Sequence, residues 1–458
     1  MKRRHFLQRA VLGTGMICGA TTFPCPAIAQ ESGSANERIG VGIVGAGGMG
    51  SGDAKQAARF GTIIAVADAD LQHGERLKKA FEDRPEVYQD YRQLLDRKDI
   101  DVIIQATPDH WHSKINIDAM RAGKDVYGEK PFSLTIREGQ LVCRTVKETG
   151  RVFQTGTQQR SESRFQQAIE LVRNGRIGKL KQVHVVLPYY NTRGGPFPVE
   201  QPPTSLDWDL YQGQAPACPY MKSKTHTTFR WWYEYAGGIT TDWGNHHMDI
   251  AMWGMDTETT GPVSVEARAV FPNRGEKDCY NTPDRFFSRM MFANGIELLF
   301  YVGLGDKPLY GDRAPHSETT AEEIEHLFGN EKSPEVREGQ RNGIMFVGET
   351  GRLFVNRGGV YGKAIEELKE NPLPENRWKV KPSSNHMANF FDCVRSREVP
   401  VASAELEHRS VTPCHLTNIS IRLGGIPLRW DPDREIFPDN TEANAMLLRK
   451  QRQGYEVG

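Results

Sequence analysis

The chain has 458 residues, 58 of them Lys or Arg and 58 Asp or Glu, so its formal charge is zero. A neutral chain of average composition has no electrostatic case for binding nucleic acid or an anionic membrane, and this length predicts two globular domains. Its seven cysteines, irregularly and widely spaced, make neither a disulfide framework nor a zinc ribbon.

The first residues read as an address rather than as part of the fold. Arg3-Arg4, followed by Phe6 and Leu7, precedes a Thr- and Gly-diluted apolar run from Ala10 to Phe23, and Ala27-Ile28-Ala29 has the small-x-small pattern that signal peptidase cuts. The pattern predicts a twin-arginine signal over residues 1–29 and a polar linker over 30–38, hence a periplasmic or secreted protein exported already folded. The signal carries four of the basic residues and none of the acidic ones. Nothing later resembles a run of about twenty apolar residues, so no membrane contact is expected after cleavage.

Ile39–Val44 is a buried-strand run. Similar runs at 62–67, 101–106, 125–127 and 152–155 alternate with segments of helical period, of which 136–148 is closed by Gly150. Strand and helix in alternation predict an α/β fold, an N-terminal Rossmann domain over 39–155 built on a doubly wound parallel sheet. Residues 156–458 read as a C-terminal α+β domain, with a helix near 165–174 and a strand at 181–187. A long Gly/Pro/aromatic stretch over 189–235 follows. Alternating strands at 263–270 and 295–301 predict an open-faced, largely antiparallel sheet. The highly charged segment 318–341 is expected to be a surface excursion.

Directly after the first strand stands Gly45-Ala46-Gly47-Gly48-Met49-Gly50, a G-x-G-x-x-G that opens a helix. Gly45 permits the tight turn, Gly47 the approach of backbone to a pyrophosphate, and Gly50 the close packing of helix on sheet. Asp68 ends the second strand, where an acid accepts hydrogen bonds from the adenosine ribose and repels a 2′-phosphate. No arginine follows before Arg76, so NAD is expected over NADP. Thr107-Pro108-Asp109-His110-Trp111-His112 and Gly128-Glu129-Lys130-Pro131 end the next two long strands, at the edge where open α/β sheets bind ligands. The expected cofactor contacts are Gly45, Gly47, Gly48, Met49, Gly50, Asp68, Thr107, Pro108, His112, Glu129 and Lys130.

The stretch from Gly237 to Asp249 reads as the start of a helix on which Asp242, His246 and Asp249 share a face at i, i+4 and i+7. Taken alone, it leaves open a helix cap at Asp242, a core imidazole at His246, or a His/Asp metal site. No separate cysteine or histidine pair supplies further ligands, so no metal is expected.

In order and spacing, GAGGMG, the late Asp68, TPDHWH and Glu129-Lys130-Pro131 resemble the glucose-fructose oxidoreductase / inositol dehydrogenase / rhizopine catabolism (Gfo/Idh/MocA) family, and LEHRSVTPCHLTNISIRLG resembles a helix of its exported members. The resemblance implies Lys130, Asp242 and His246 as catalytic residues. His246 would take the proton of a sugar or polyol secondary hydroxyl, Asp242 would orient His246, and Lys130 would steady charge on the oxygen while hydride passes to the nicotinamide. Arg230, Trp231, Tyr233 and Asp249 are the expected substrate contacts, and a dimer or tetramer through the C-terminal sheet is expected. Two other functions fit the pattern less well. One is an NAD-dependent glycoside hydrolase or lyase acting by transient oxidation of a sugar, whose familiar members lack Glu-Lys-Pro. The other is a non-catalytic periplasmic sugar-binding protein. Since the periplasm offers no dependable free NAD, a dinucleotide enzyme sent there is expected to be loaded before export and to hold its cofactor tightly, with the 189–220 stretch closing over the nicotinamide.

Overall fold

The computed structural model describes residues 38–302 and 342–457. The expected signal peptide, the linker up to residue 37 and the 318–341 excursion lie outside the described residues.

Six strands, Ile39–Val44 (β1), Gly61–Ala67 (β2), Glu86–Tyr88 (β3), Val102–Gln105 (β4), Asp125–Gly128 (β5) and Phe153–Thr155 (β6), form an all-parallel sheet in the order β3-β2-β1-β4-β5-β6. The inner strands β1, β4 and β5 are buried on both faces, which is why each reads as an unbroken apolar run instead of an alternation. β3 has no such signature, because it is three half-exposed residues at the sheet edge. Helices Gly48–Ala57 (α1), Leu71–Ala80 (α2), Tyr91–Leu95 (α3), Asp109–Arg121 (α4) and Ile136–Thr149 (α5) make the crossovers. Strand order reverses between β1 and β4, creating a crevice at their carboxyl ends.

The second sheet has eight strands: Leu180–Leu187 (β7), Pro262–Val270 (β8), Arg285–Phe292 (β9), Glu297–Val302 (β10), Gly343–Gly348 (β11), Arg352–Val355 (β12), Val360–Tyr361 (β13) and Leu428–Arg429 (β14). Their order is β13-β12-β11-β7-β10-β9-β8-β14, and every pair but β7–β10 is antiparallel. Alternate residues of β10 serve two cores: Leu298, Phe300 and Val302 join one with Met248 and Met252, while Leu299 and Tyr301 join Met345 and Phe354 on the other face. Helices Ser163–Arg173 (α6) and Ile239–Met255 (α8) cover the first of these faces, and between them in the chain lies the short helix Trp208–Gln212 (α7).

From Arg38 the chain is one compact unit, and residue 155 is not a clean border within it. Helix His386–Ser396 (α9) returns to the parallel sheet, where Met387, Phe390 and Phe391 pack with Val41, Ile63 and Ile104. Helix Ala404–Arg422 (α10) then runs between α5 and α8. Among the described residues no helix is long and apolar enough to cross a membrane.

Candidate active site

Four loops meet at the carboxyl edge of the parallel sheet and line a cavity of about 500 Å³. Gly45 adopts φ +86°, and a Cβ there would strike the Ala106 carbonyl; one on Gly50 would lie 1.9 Å from the Gly45 oxygen. These two glycines are therefore fixed by backbone packing. Gly47 and Gly48 differ: a Cβ on Gly48 meets nothing within 4 Å, and one on Gly47 meets only His73 Nδ1 at 4.0 Å. Gly47 caps α1 without a side-chain bond, so the amide end of a ten-residue helix faces the cavity. Met49 is exposed beside it. A bare cradle at a helix N-terminus, ending at a carboxylate, is what a dinucleotide pyrophosphate and ribose require, so the residues present fit such a cofactor.

Asp68 stands at the end of β2. Its Oδ2 accepts from the Ala46 amide at 2.7 Å, tying the acid to the glycine turn, and Oδ1 accepts from the Asp70 amide at 2.9 Å. Thr107 and Pro108 line the cavity at the end of β4, where Gln105 Nε2 donates to Thr107 Oγ1 at 2.6 Å. His112 does not reach the cavity. It is buried behind the wall with Nε2 facing the Thr107 carbonyl at 2.8 Å and Nδ1 the Pro131 carbonyl at 2.7 Å, so it joins the two loops instead of touching a ligand. Burial pushes its pKa down to about 4, so the ring is neutral and donates to one carbonyl while only facing the other.

Glu129 and Lys130 follow β5 into the same wall. Burial pushes the Glu129 carboxyl up to about 7, against the pull of Lys130. Lys130 Nζ donates to Asp242 Oδ1 at 2.8 Å, and Arg230 Nε lies 3.7 Å from Asp242 Oδ2. Burial opposes charge on Asp242, yet Lys130 and Arg230 outweigh it and hold the carboxyl down to about 2. The partners meet because Asn245, on α8, accepts from the Phe132 amide at 3.1 Å and pins the Lys130 turn to that helix. His246 lies one turn after Asp242, 5% exposed and not in the cavity wall; its Nδ1 makes no hydrogen bond among the described residues. Burial, then Lys130 and Arg357, keep its pKa well below the usual histidine range, so the ring is neutral.

The other expected substrate contacts separate. Arg230 lines the cavity, but Trp231 is core, its ring 5.3 Å from that of Tyr190. Tyr233 faces a different cavity, with Arg422 stacked 5.2 Å over its ring. Asp249 is completely buried: Arg160 donates to it through Nε and Nη2, and Ser410 through its hydroxyl at 2.9 Å. It has no surface to offer a substrate. An aromatic run places successive side chains on different sides of the chain, so a shared stretch of sequence is not a shared surface.

Several cavity residues escaped the sequence reading. Asp109, at the first turn of α4, shares the cavity with Lys130 and Asp242; burial and then the Asp242 charge push it up to about 7. It lies inside the TPDHWH motif, and its place at a strand's carboxyl edge was the available signal. Leu210, Tyr211, His226, Thr227 and Phe229 come from the long 189–235 stretch, which roofs the cavity at the Asp68 end as well as near Lys130. The Tyr211 carbonyl accepts from His110 Nε2 and Trp111 Nε1 at 2.8 and 3.1 Å, and backbone bonds join Leu71 to Ser205 and Asp207 to Ala69. No periodicity announces such a segment.

Comparison with known proteins places the chain in a family. The Gfo/Idh/MocA model described as an oxidoreductase family's NAD-binding Rossmann fold matches residues 39–157, and the family's C-terminal α/β domain matches residues 190–301, together half of the chain. The α-N-acetylgalactosaminidase of Shewanella oneidensis is 30% identical over 173 residues, 32% of this chain and 37% of that protein. The myo-inositol 2-dehydrogenase of Thermotoga maritima is 22% identical over 351 residues, 73% of this chain and 98% of that one. The first three curated relatives are matched over only 37–60% of their own length. In fold, the aldose-aldose oxidoreductase of Caulobacter crescentus, solved with glycerol, superposes with a TM-score of 0.60 at 16% identity, covering 86% of this chain and all of that one. With both family domains matched in order and the glycine cradle, Asp68 and Lys130 around one cavity, the chain belongs to the Gfo/Idh/MocA family of NAD-binding oxidoreductases.

Proposed function

We propose that the protein transfers hydride between a secondary hydroxyl of a sugar or polyol and a tightly held NAD. The observation that carries this reading is the Lys130–Asp242 pair, 2.8 Å apart in the wall of the cavity that also holds the glycine cradle. When bound, the nicotinamide supplies the hydride acceptor. Gly47 and Gly48 leave room for its phosphates, and Asp68 accepts from the adenosine ribose and disfavours a 2′-phosphate. Lys130 holds negative charge on the substrate oxygen, and Asp242 fixes where that ammonium points. His246, neutral and with no partner for Nδ1 among the described residues, takes the hydroxyl proton once a substrate reaches it. Arg230 contacts the substrate from the roof.

The tight hold is supported by how the roof is fastened. Arg452, near the chain end, donates to Asp209 and to the Gly213 carbonyl, and Tyr455 donates to Asp209 at 2.8 Å while its ring packs on Trp111. A folded, loaded enzyme suits export by the twin-arginine route to the periplasm, and association through the C-terminal sheet belongs to the same proposal. A second reading, an NAD-dependent glycoside hydrolase, draws on the 30% identity to an α-N-acetylgalactosaminidase. It would use the same groups and return the hydride to the substrate.

The test is a screen of sugars, polyols and aryl glycosides against the wild type and against Lys130→Met, Asp242→Asn and His246→Ala. Each variant should keep its fold and its dinucleotide but lose turnover by about 10²- to 10⁴-fold. Release of aglycone without net change in nicotinamide absorbance would favour the hydrolase. Near-native turnover in His246→Ala would return that residue to the core. Periplasmic protein should retain dinucleotide through dialysis, and Arg3→Lys with Arg4→Lys should leave it in the cytoplasm.

A further inference from the structure

Charged groups from three elements converge at the Asp68 end of the cavity. His73, on α2, faces Asp68 Oδ2 through Nδ1 at 3.3 Å. Arg76, three residues further along the helix, lines the same wall, so the two basic side chains lie on one face of α2. From the roof, His226 brings its ring centroid to 4.6 Å from that of His73, and its Nε2 stands 3.6 Å from Asp70 Oδ2. His226 is held in a left-handed conformation, φ +54°, with its amide donating to the Tyr211 hydroxyl at 3.0 Å. Asp70 caps α2 through Oδ1. His73 therefore sits between the ribose-binding acid and the glycine cradle, whose Gly47 faces its Nδ1.

The two imidazoles are driven apart. The hydrogen bond to Asp68, helped by the charges of Asp68 and Asp70 and opposed by burial and Arg76, raises His73 above the ordinary histidine value. Burial and then His73 lower His226, against the pull of Asp70 and Asp68. Of the two imidazoles, His73 is thus the one that keeps its proton to the higher pH. With it protonated, His73 and Arg76 balance Asp68 and Asp70. With it neutral, one negative charge is left over.

We propose that His73, with Arg76, tunes the discrimination between NAD and NADP, so that Asp68 rejects a 2′-phosphate more strongly once His73 is neutral. Protonated, His73 offers an N–H donor and a positive charge beside Arg76, and the pair can hold the phosphate that Asp68 alone would repel. Arg76 follows Asp68 too distantly in sequence to look relevant; the turn of α2 brings it round. The inference rests on the cavity being the dinucleotide site, with Asp68 at the adenosine ribose.

The full-length protein is incubated with equal excesses of NAD and NADP until the bound ratio is constant, then desalted, and the retained dinucleotides are quantified. The measurement is made near pH 7 and near pH 9, both above the second ionisation of a phosphate ester at about 6, so the ligand's own charge is constant. In the wild type the NAD-to-NADP ratio should rise by about three- to thirtyfold from the lower to the higher pH, the range expected for one charge a few ångströms away. His73→Gln should flatten this dependence, and Arg76→Ala should lower bound NADP at both pH values without lowering NAD. A ratio that does not change with pH in the wild type, or that changes as much in His73→Gln, would overturn the proposal while leaving the dinucleotide site intact. Retention of neither dinucleotide would overturn the site and the proposal together.

Discussion

The carboxyl edge of the parallel sheet and the polar face of α8 both carried motifs in the sequence, and the structure treats them differently. At the edge, residues from four loops, separated by more than eighty positions, come to one cavity. On α8, three residues within eight positions go to three environments. Asp242 joins the cavity, His246 is buried with no partner for Nδ1 among the described residues, and Asp249 lies in a buried cluster with Arg160 and Ser410. A parallel sheet gathers its loops because every strand ends on the same side. A helix advances about 1.5 Å per residue, so i and i+7 share a face yet stand roughly 10 Å apart, and here the helix runs down into the core.

The largest effect that sharpens this contrast is expected at the deep end of α8. Asp249→Ala takes from Arg160, 4% exposed, its bidentate partner and leaves it Glu258 at 2.8 Å, and should cost about 3 kcal/mol in denaturant unfolding. Asp242→Asn, nearly two turns above, should cost less stability while removing turnover. Equal destabilisation by the two would mean that the helix face acts as a unit after all.

At the sheet edge, Asp109 gives a smaller effect with a definite sign. A carboxyl raised from 3.8 to about 7 in the folded protein costs nothing below the unfolded value, grows costly as pH rises between the two, and stays so above. Asp109→Asn should therefore raise stability at about pH 8, on the order of 2 kcal/mol, and leave it unchanged near pH 3.5. Asp242 has the opposite sign: its carboxylate stabilises above its ordinary value of 3.8, and that contribution is lost as pH falls through about 2. Melting curves across this range would show whether the two acids are as differently placed as the cavity implies.

The smallest stability effect is expected in the cradle. Gly48→Ala meets open space and should shift stability by no more than ~0.5 kcal/mol, yet its methyl group would occupy the cavity and lower dinucleotide retention after dialysis. An unchanged dinucleotide content would show that Gly48 does not face the ligand.

Strand and helix periods sufficed for the parallel sheet, from Ile39 to Thr155, and for most of the second sheet, because burial on two faces or one writes itself into local apolar pattern. The glycine turn, Asp68 and Lys130 were legible for the same reason: each stands at a fixed offset from the end of a strand. The return of α9 to the parallel sheet, the roof built from 189–235, the separation of Arg230 from Trp231 and Tyr233, and the meeting of His73 with His226 were decided by tertiary structure. Those placements depend on contacts between residues far apart in the chain, such as Asn245 with Phe132 or Arg452 with Asp209, and no local period encodes which distant surface a segment will meet.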